Sequence, residues 1–164
     1  MKSDLARFGR GFVYAWNGIC AAVREERNFR FHLCAAVYVF AAAWLAELDR
    51  QSVALLALCV FSMLGMELMN SAVERAVDKP YTTHWWSAGA AKDMAAGGVL
   101  ATAVGTVVVG VCLFGRAETL RLLWARVTAS PACILCWCVS LAAAYWFIFR
   151  FCKKENTNAE HKTQ

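Results

Sequence analysis

Charged residues are missing from two long stretches of this chain, and that absence excludes an ordinary soluble fold. Met94–Phe114 and Pro131–Phe149 contain no Asp, Glu, Lys or Arg. Each is long enough for a membrane helix, which needs about 20 apolar residues. The chain also lacks a G-x-x-x-x-G-K-[ST] loop and the protein-kinase signature set, and Gly89–Lys92 does not have the spacing to replace them. A soluble nucleotide-binding domain of either kind is therefore excluded. No second Cys or His pair accompanies Cys133 and Cys136, so their C-x-x-C spacing does not make a metal or redox site. The eight cysteines, most of them in apolar runs, read as small buried hydrophobes. Arg7 and Arg10 interrupt the N-terminus before any apolar core, so it does not read as a cleavable signal peptide. No internal repeat is visible, and no segment is large enough for a separate soluble domain. Chemistry is expected in or beside the bilayer.

What is present fills in a membrane protein. Sixty per cent of the 164 residues are hydrophobic, above the about 45–50% usual in soluble domains. Leu33–Ala46 is a shorter uncharged run, and it lengthens into a span by including Phe29 and Phe31 while Arg30 snorkels to the surface. Ser52–Met66 is apolar and then meets Glu67, Asn70 and Glu74 without losing its helical pattern. Four membrane helices are expected. Residues 5–23 place Leu5, Phe8, Phe12, Trp16, Ile19 and Val23 at steps of three and four, the pattern of an amphipathic helix in the headgroup layer. The charged and aromatic segment 24–32 leads that helix into the first span. Pro80 ends the second span, residues 79–88 form a short loop with Trp85 and Trp86 at the interface, and the third span opens after Met94. Gly97, Gly98, Gly105 and Gly110 permit close helix approach there. Residues 115–130 read as a second surface helix carrying Leu120, Leu122, Leu123 and Trp124, and the tail from Lys153 is polar.

The net charge of +5 is arranged for a membrane surface. Lys2, Arg7, Arg10, Arg24, Arg27 and Arg30 precede the first span, which puts that end in the cytoplasm. Four spans return Arg150, Lys153, Lys154 and Lys162 to the same side, with Arg116, Arg121 and Arg126 opposite.

The chemistry is concentrated in GMELMNSAVERAVD, residues 65–78. Glu67, Asn70, Ser71, Glu74 and Asp78 stand at i, i+3, i+4, i+7 and i+11, which makes one helical stripe. A charged residue at bilayer centre costs about 2.5–3.5 kcal/mol on insertion scales, so aligned carboxylates need a reason. They suit a cation, a proton or a polar substrate; the bland alternative is a polar seam holding helices together. Glu67 is deepest, a position suited to a general base for an alcohol proton. Glu74 lies shallower, where a carboxylate suits Mg²⁺ bound to phosphates, and Glu26 supplies a second one at the same level. Lys92, at the start of the third span beside Asp93, can neutralise phosphate charge. On residues alone, an enzyme and an ion- or proton-coupled carrier remain close rivals.

RFGRGFVYAWNGI, EERNFRFH, MELMNSAVERAVD and AGAAKDMAAGGV keep one order and spacing over roughly residues 5–114. In these segments the chain resembles the prokaryotic diacylglycerol kinase family, small integral-membrane lipid kinases that include undecaprenol kinases. The pattern E-x-x-N-[ST]-A-x-E-x-x-x-D followed by A-K-D is specific to it. The resemblance implies transfer of the ATP γ-phosphate to a membrane-lipid hydroxyl, with Mg²⁺ as cofactor. It implies Glu67 as the base, Asn70 orienting it, Glu26 and Glu74 on the divalent ion, and Arg7, Tyr14, Lys92 and Asp93 on ATP. Blander readings exist for several: Arg7 on anionic headgroups, Tyr14 as an interface aromatic, Lys92 as a snorkelling flank, His84 as a solvated loop residue. A homotrimer with shared sites is implied, as is a cytoplasm-facing site in the bacterial cell membrane. NFRFH, with its Asn28 and His32, looks more like the undecaprenol-kinase branch. The expected architecture is all-α: residues 1–30 as surface helix and entrance to the first span, 31–114 as a three-span core, 115–152 as surface segment and extra span, and 153–164 as tail. The fourth span has no catalytic role on this reading, and the outside of the trimer is one place for it.

Overall fold

The structure is a computed structural model that describes residues 2–78 and 86–151, with side chains described from Arg7 onward except Trp86 and Ser87. Six helices account for nearly all of it: α1 Lys2–Glu25, α2 Arg27–Leu45, α3 Arg50–Val77, α4 Trp86–Phe114, α5 Ala117–Val127 and α6 Pro131–Arg150. Four of them, α2, α3, α4 and α6, are long and apolar enough to cross a membrane, as the hydropathy pattern predicts. No strand occurs among the described residues. The expectations for Pro80, His84, Trp85 and the tail from Lys153 lie outside the described residues.

The joints show why the chain turns where it does. Glu26 alone breaks α1 from α2, in an extended conformation (φ −99°, ψ 111°). Between α2 and α3, Glu47 takes a left-handed φ of 53°. Its amide and that of Leu48 then bond back to Trp44 and Ala43, the paired bonds that close a helix C-terminus. Asp49 immediately opens α3 by accepting from the Ser52 amide at 2.8 Å. That bond, with help from the Ser52 hydroxyl, holds the exposed Asp49 carboxyl below the usual carboxylate range. Ser130 caps α6 in the same way, with Pro131 in its first turn.

α4 begins at Trp86 rather than after Met94, so residues 86–88, expected in the loop, belong to the helix. Ala88, Ala90 and Ala91 are strong helix formers and carry the helix upstream. Of the four small residues noted there, Gly98 meets α3: an added Cβ would stand 2.6 Å from Met66 Cε. Gly97, Gly105 and Gly110 have open space beside them.

Arg30 does not snorkel. It is 5% exposed, inside the bundle. Its Nη1 donates to the carbonyls of Val23 and Arg24 at 3.0 and 2.9 Å, and its Nε and Nη2 donate to the Ile148 carbonyl at 3.3 and 3.1 Å. All three carbonyls belong to last turns, where a helix has no acceptors' partners of its own. One guanidinium thus caps α1 and α6 together, its charge set against the negative ends of both dipoles. The fourth span is therefore tied to α2 of its own chain. Tyr38 and Ser140 add a hydroxyl pair at 3.3 Å, and Tyr38 leans on Trp137. Arg126 does the same service at the opposite membrane face, donating to the Leu45 carbonyl at 2.8 Å and pairing with Glu47, which fastens α5 to the α2–α3 turn.

Candidate active site

The polar stripe of α3 grades from buried to open. Glu67 is 4% exposed, Ser71 is buried, Asn70 and Glu74 are half-buried, and Asp78 is exposed. α2 lies across its deep end: His32 Nε2 stands 3.2 Å from Glu67 Oε1. Asn70 does not reach for Glu67. Its Nδ2 donates to Glu74 Oε1 at 2.9 Å, because i+4 on a helix is a side-chain neighbour in the direction the amide points. The other atom of that amide, Oδ1, is buried with no protein partner. An oxygen acceptor left open beside a carboxylate is the donor chemistry a hard divalent cation takes.

The α1–α2 joint meets the shallow end of the stripe. Arg75 Nη2 lies 2.9 Å from both Glu25 Oε2 and Glu26 Oε1. Sequence reasoning missed Arg75 and Glu25. Arg75 stands inside the motif, but one residue off the stripe. Lys92 lies in the second turn of α4 and holds both oxygens of Asp78, at 2.9 and 3.0 Å, so in this structure its charge is spent on α3 rather than open. Asp93 beside it is exposed. Arg7 and Tyr14 are exposed on α1, Tyr14 by 69%, and take part in none of these contacts. At 1.5 Å per residue, Arg7 stands about 27 Å along α1 from Glu25. Among the described residues, no three of His, Cys, Asp and Glu gather tightly enough to hold a metal alone.

Two hollows open between the helices near these residues, one lined by His32 and the other by Ser71. A crevice of about 140 Å³ between α2, α3 and α4 has His32 and Thr106 as its polar side chains and is otherwise lined by apolar groups such as Val39, Leu56, Met63 and Phe114. The Thr106 hydroxyl is already committed to the Thr102 carbonyl. A wider groove of about 390 Å³ runs between α1 and α3, floored by Gly18, Ala22 and Ala72 with Ser71 and Arg75 at its edge.

The family model for prokaryotic diacylglycerol kinase matches residues 13–114, more than half of the chain. The chain belongs to the prokaryotic diacylglycerol kinase family. The match spans α2, α3 and α4 and the second half of α1, and stops where α4 stops. The undecaprenol kinase of Bacillus subtilis (strain 168) is 39% identical over 113 residues, covering 69% of this chain and 92% of that protein. A diacylglycerol kinase of Synechocystis sp. is 43% identical over 103 residues, 62% of this chain and 59% of that protein. The diacylglycerol kinase of Escherichia coli (strain K12) is 33% identical over 96 residues, 58% of this chain and 78% of that protein. The chain is thus a multi-pass membrane kinase, a phosphotransferase with a lipid alcohol as acceptor and a nucleotide as donor. In this family member, α5 and α6 lie beyond the matched segment, and Arg30 joins α6 to that segment.

Proposed function

We propose that the chain transfers the γ-phosphate of ATP to the hydroxyl of a long-chain monohydric lipid alcohol of the undecaprenol type, at the cytoplasmic face of a bacterial cell membrane. The observation that carries the reading is the buried Glu67 carboxylate, at the deep end of a stripe whose shallow end carries Glu74. Glu67 takes the alcohol proton as the oxygen attacks phosphorus. Glu26 and Glu74 would hold Mg²⁺, a hard cation that takes carboxylate oxygens alongside phosphate. The ion, when bound, neutralises charge on the phosphates. Arg75 holds Glu26 near the stripe and Asn70 holds Glu74. In-line transfer then needs mainly positioning and charge neutralisation, for which Lys92 and Asp93 are the α4 contribution.

Polarity supports this acceptor class. A polyprenol has one oxygen, and apart from His32 and the Thr106 hydroxyl, which is committed to the Thr102 carbonyl, the crevice is lined by apolar groups. A diacylglycerol brings two ester groups that would need partners there. The high coverage of the Bacillus subtilis relative and the NFRFH segment point the same way.

The assembly is a homotrimer with shared sites. The outer face of α4, with Leu100, Val104, Val107, Val108 and Val111, is exposed in the single chain, and Arg7 and Tyr14 stand apart from the stripe of their own chain. A neighbour's α1 brings these two to the nucleotide. The test is to offer undecaprenol and diacylglycerol side by side with labelled ATP and Mg²⁺ to the purified protein in detergent. Undecaprenol should be phosphorylated faster, and Glu67→Gln should lose turnover with its helix content intact. A Glu67→Gln variant at near-normal rate removes the base assignment. Mixing Glu67→Gln chains with Tyr14→Ala chains should restore activity if sites are shared.

A further inference from the structure

The proposed reaction uses carboxylates of the α1–α2 joint and of α3 and the Lys92–Asp93 end of α4, and gives α2 no part in the chemistry beyond lining the crevice. Yet α2 places one titratable side chain against the buried base. His32 is the partner the structure gives Glu67: Nε2 to Oε1 is 3.2 Å, and the histidine side chain is 23% exposed against 5% for that of Glu67. The amide nitrogen and the cations near the stripe are committed elsewhere. Asn70 bonds Glu74, Arg75 spans Glu25 and Glu26, and Lys92 holds Asp78. His32 also lines the apolar crevice, which makes it the residue shared by the base and the hollow beside it.

We propose that His32 is the positioning residue for Glu67: its Nε2–H donates to Oε1, which fixes the carboxylate plane and leaves Oε2 to face the acceptor hydroxyl. An isolated carboxylate at this burial would be costly to keep charged and free to rotate; a single directed donor answers both problems. Either the neutral Nε2–H tautomer or the imidazolium supplies that donor. The bond changes are those of the kinase reaction. The alcohol O–H breaks as Glu67 Oε2 gains the proton. The alcohol oxygen forms a bond to the γ-phosphorus, and the bridging oxygen leaves with ADP. His32 neither gains nor loses a proton in the step. Its ring contact with Phe31, centroids 5.3 Å apart and edge-on, limits its rotation on the same helix.

This inference rests on Glu67 being the base, so the experiment separates the two. Purified full-length protein is assayed for phosphate transfer to undecaprenol with both substrates varied. His32→Leu should lower kcat by about 10- to 100-fold with KM for ATP and for the lipid within a factor of two, a smaller loss than the about 10²–10⁴ attached to a general base itself. His32→Gln, whose amide can donate to the same oxygen, should recover kcat to within about fivefold of the parent. In a Glu67→Gln background, His32→Leu should cause no further loss, since residues acting as one unit are not additive. Three results overturn the proposal: a normal kcat in His32→Leu, equal losses in the Leu and Gln variants, or a loss confined to the lipid KM, which would make His32 a wall of the crevice only. If Leu unfolds the chain, the Gln variant and its double with Glu67→Gln decide alone: Gln far below parent, or additive with Glu67→Gln, refutes it. An active Glu67→Gln protein refutes the base assignment instead.

Discussion

Replacing Arg30 by methionine is the sharpest test of how this family member holds its additional helix. The side chain is 5% exposed and donates to three carbonyls, two at the end of α1 and one near the end of α6. A hydrogen bond from a charged group is worth about 1.5–3 kcal/mol net, and a buried acceptor left alone costs about 1–3 kcal/mol. Water can replace the donor at Val23 and Arg24, which face the joint, but less well at Ile148, which is buried. The expected loss is therefore about 2–4 kcal/mol, dominated by the α2–α6 contact. For a chain of this length, 1 kcal/mol corresponds to roughly 2–4 °C, so Tm in detergent should fall by roughly 5–15 °C. Arg30→Lys should recover only part of this, because a single ammonium cannot serve two helix ends that a planar fork bridges. Thermal unfolding followed by circular dichroism reads both variants. A Tm within 2 °C of the parent for Arg30→Met, or full recovery by Lys, would refute the idea that one guanidinium joins α1, α2 and α6. Phosphate transfer should also fall in Arg30→Met, since Glu26 sits at the joint that Arg30 closes.

Other outcomes follow from single contacts. Lys92→Met should raise KM for ATP about tenfold (about 1.4 kcal/mol) while leaving Tm nearly unchanged, because exposed ion pairs add little stability; a lower kcat at unchanged KM would place Lys92 elsewhere in the reaction. Asn70→Ala should raise the Mg²⁺ concentration needed for half-maximal rate, since it frees Glu74 from its donor, and a rate insensitive to Mg²⁺ would argue against Glu74 on the ion. The Asp49 cap should fade on acidification: its folded carboxyl titrates below the unfolded value of about 3.9, so its contribution is complete above that pH and lost as pH falls through the lower, folded value. Asp49→Asn, read by helix content between pH 5 and 2, should lose that dependence. Glu47→Gly should ease the left-handed turn yet release Arg126, and α5 should become more accessible to hydrogen exchange while α3 stays protected.

The sequence was enough for the four apolar helices, because bilayer-length runs free of charge have few other folds available. It was also enough for the α3 stripe, since a 3.6-residue period puts Glu67, Asn70, Ser71, Glu74 and Asp78 on one face before any packing is considered. Local chemistry likewise marked residues 24–32 as the passage into the first span and the polar turn at Glu47–Arg50, while the break at Glu26 came from the structure. Partners were another matter. That Arg30 goes inward, that Asn70 serves Glu74, that Arg75 gathers Glu25 and Glu26, and that His32 meets Glu67 all depend on which faces of separate helices meet. Helical periodicity fixes the direction of a side chain relative to its own axis. It carries no information on the rotation and offset of the next helix, which packing of whole surfaces decides. For this chain the charges at membrane depth were readable one by one, and only the tertiary structure showed what each of them faces.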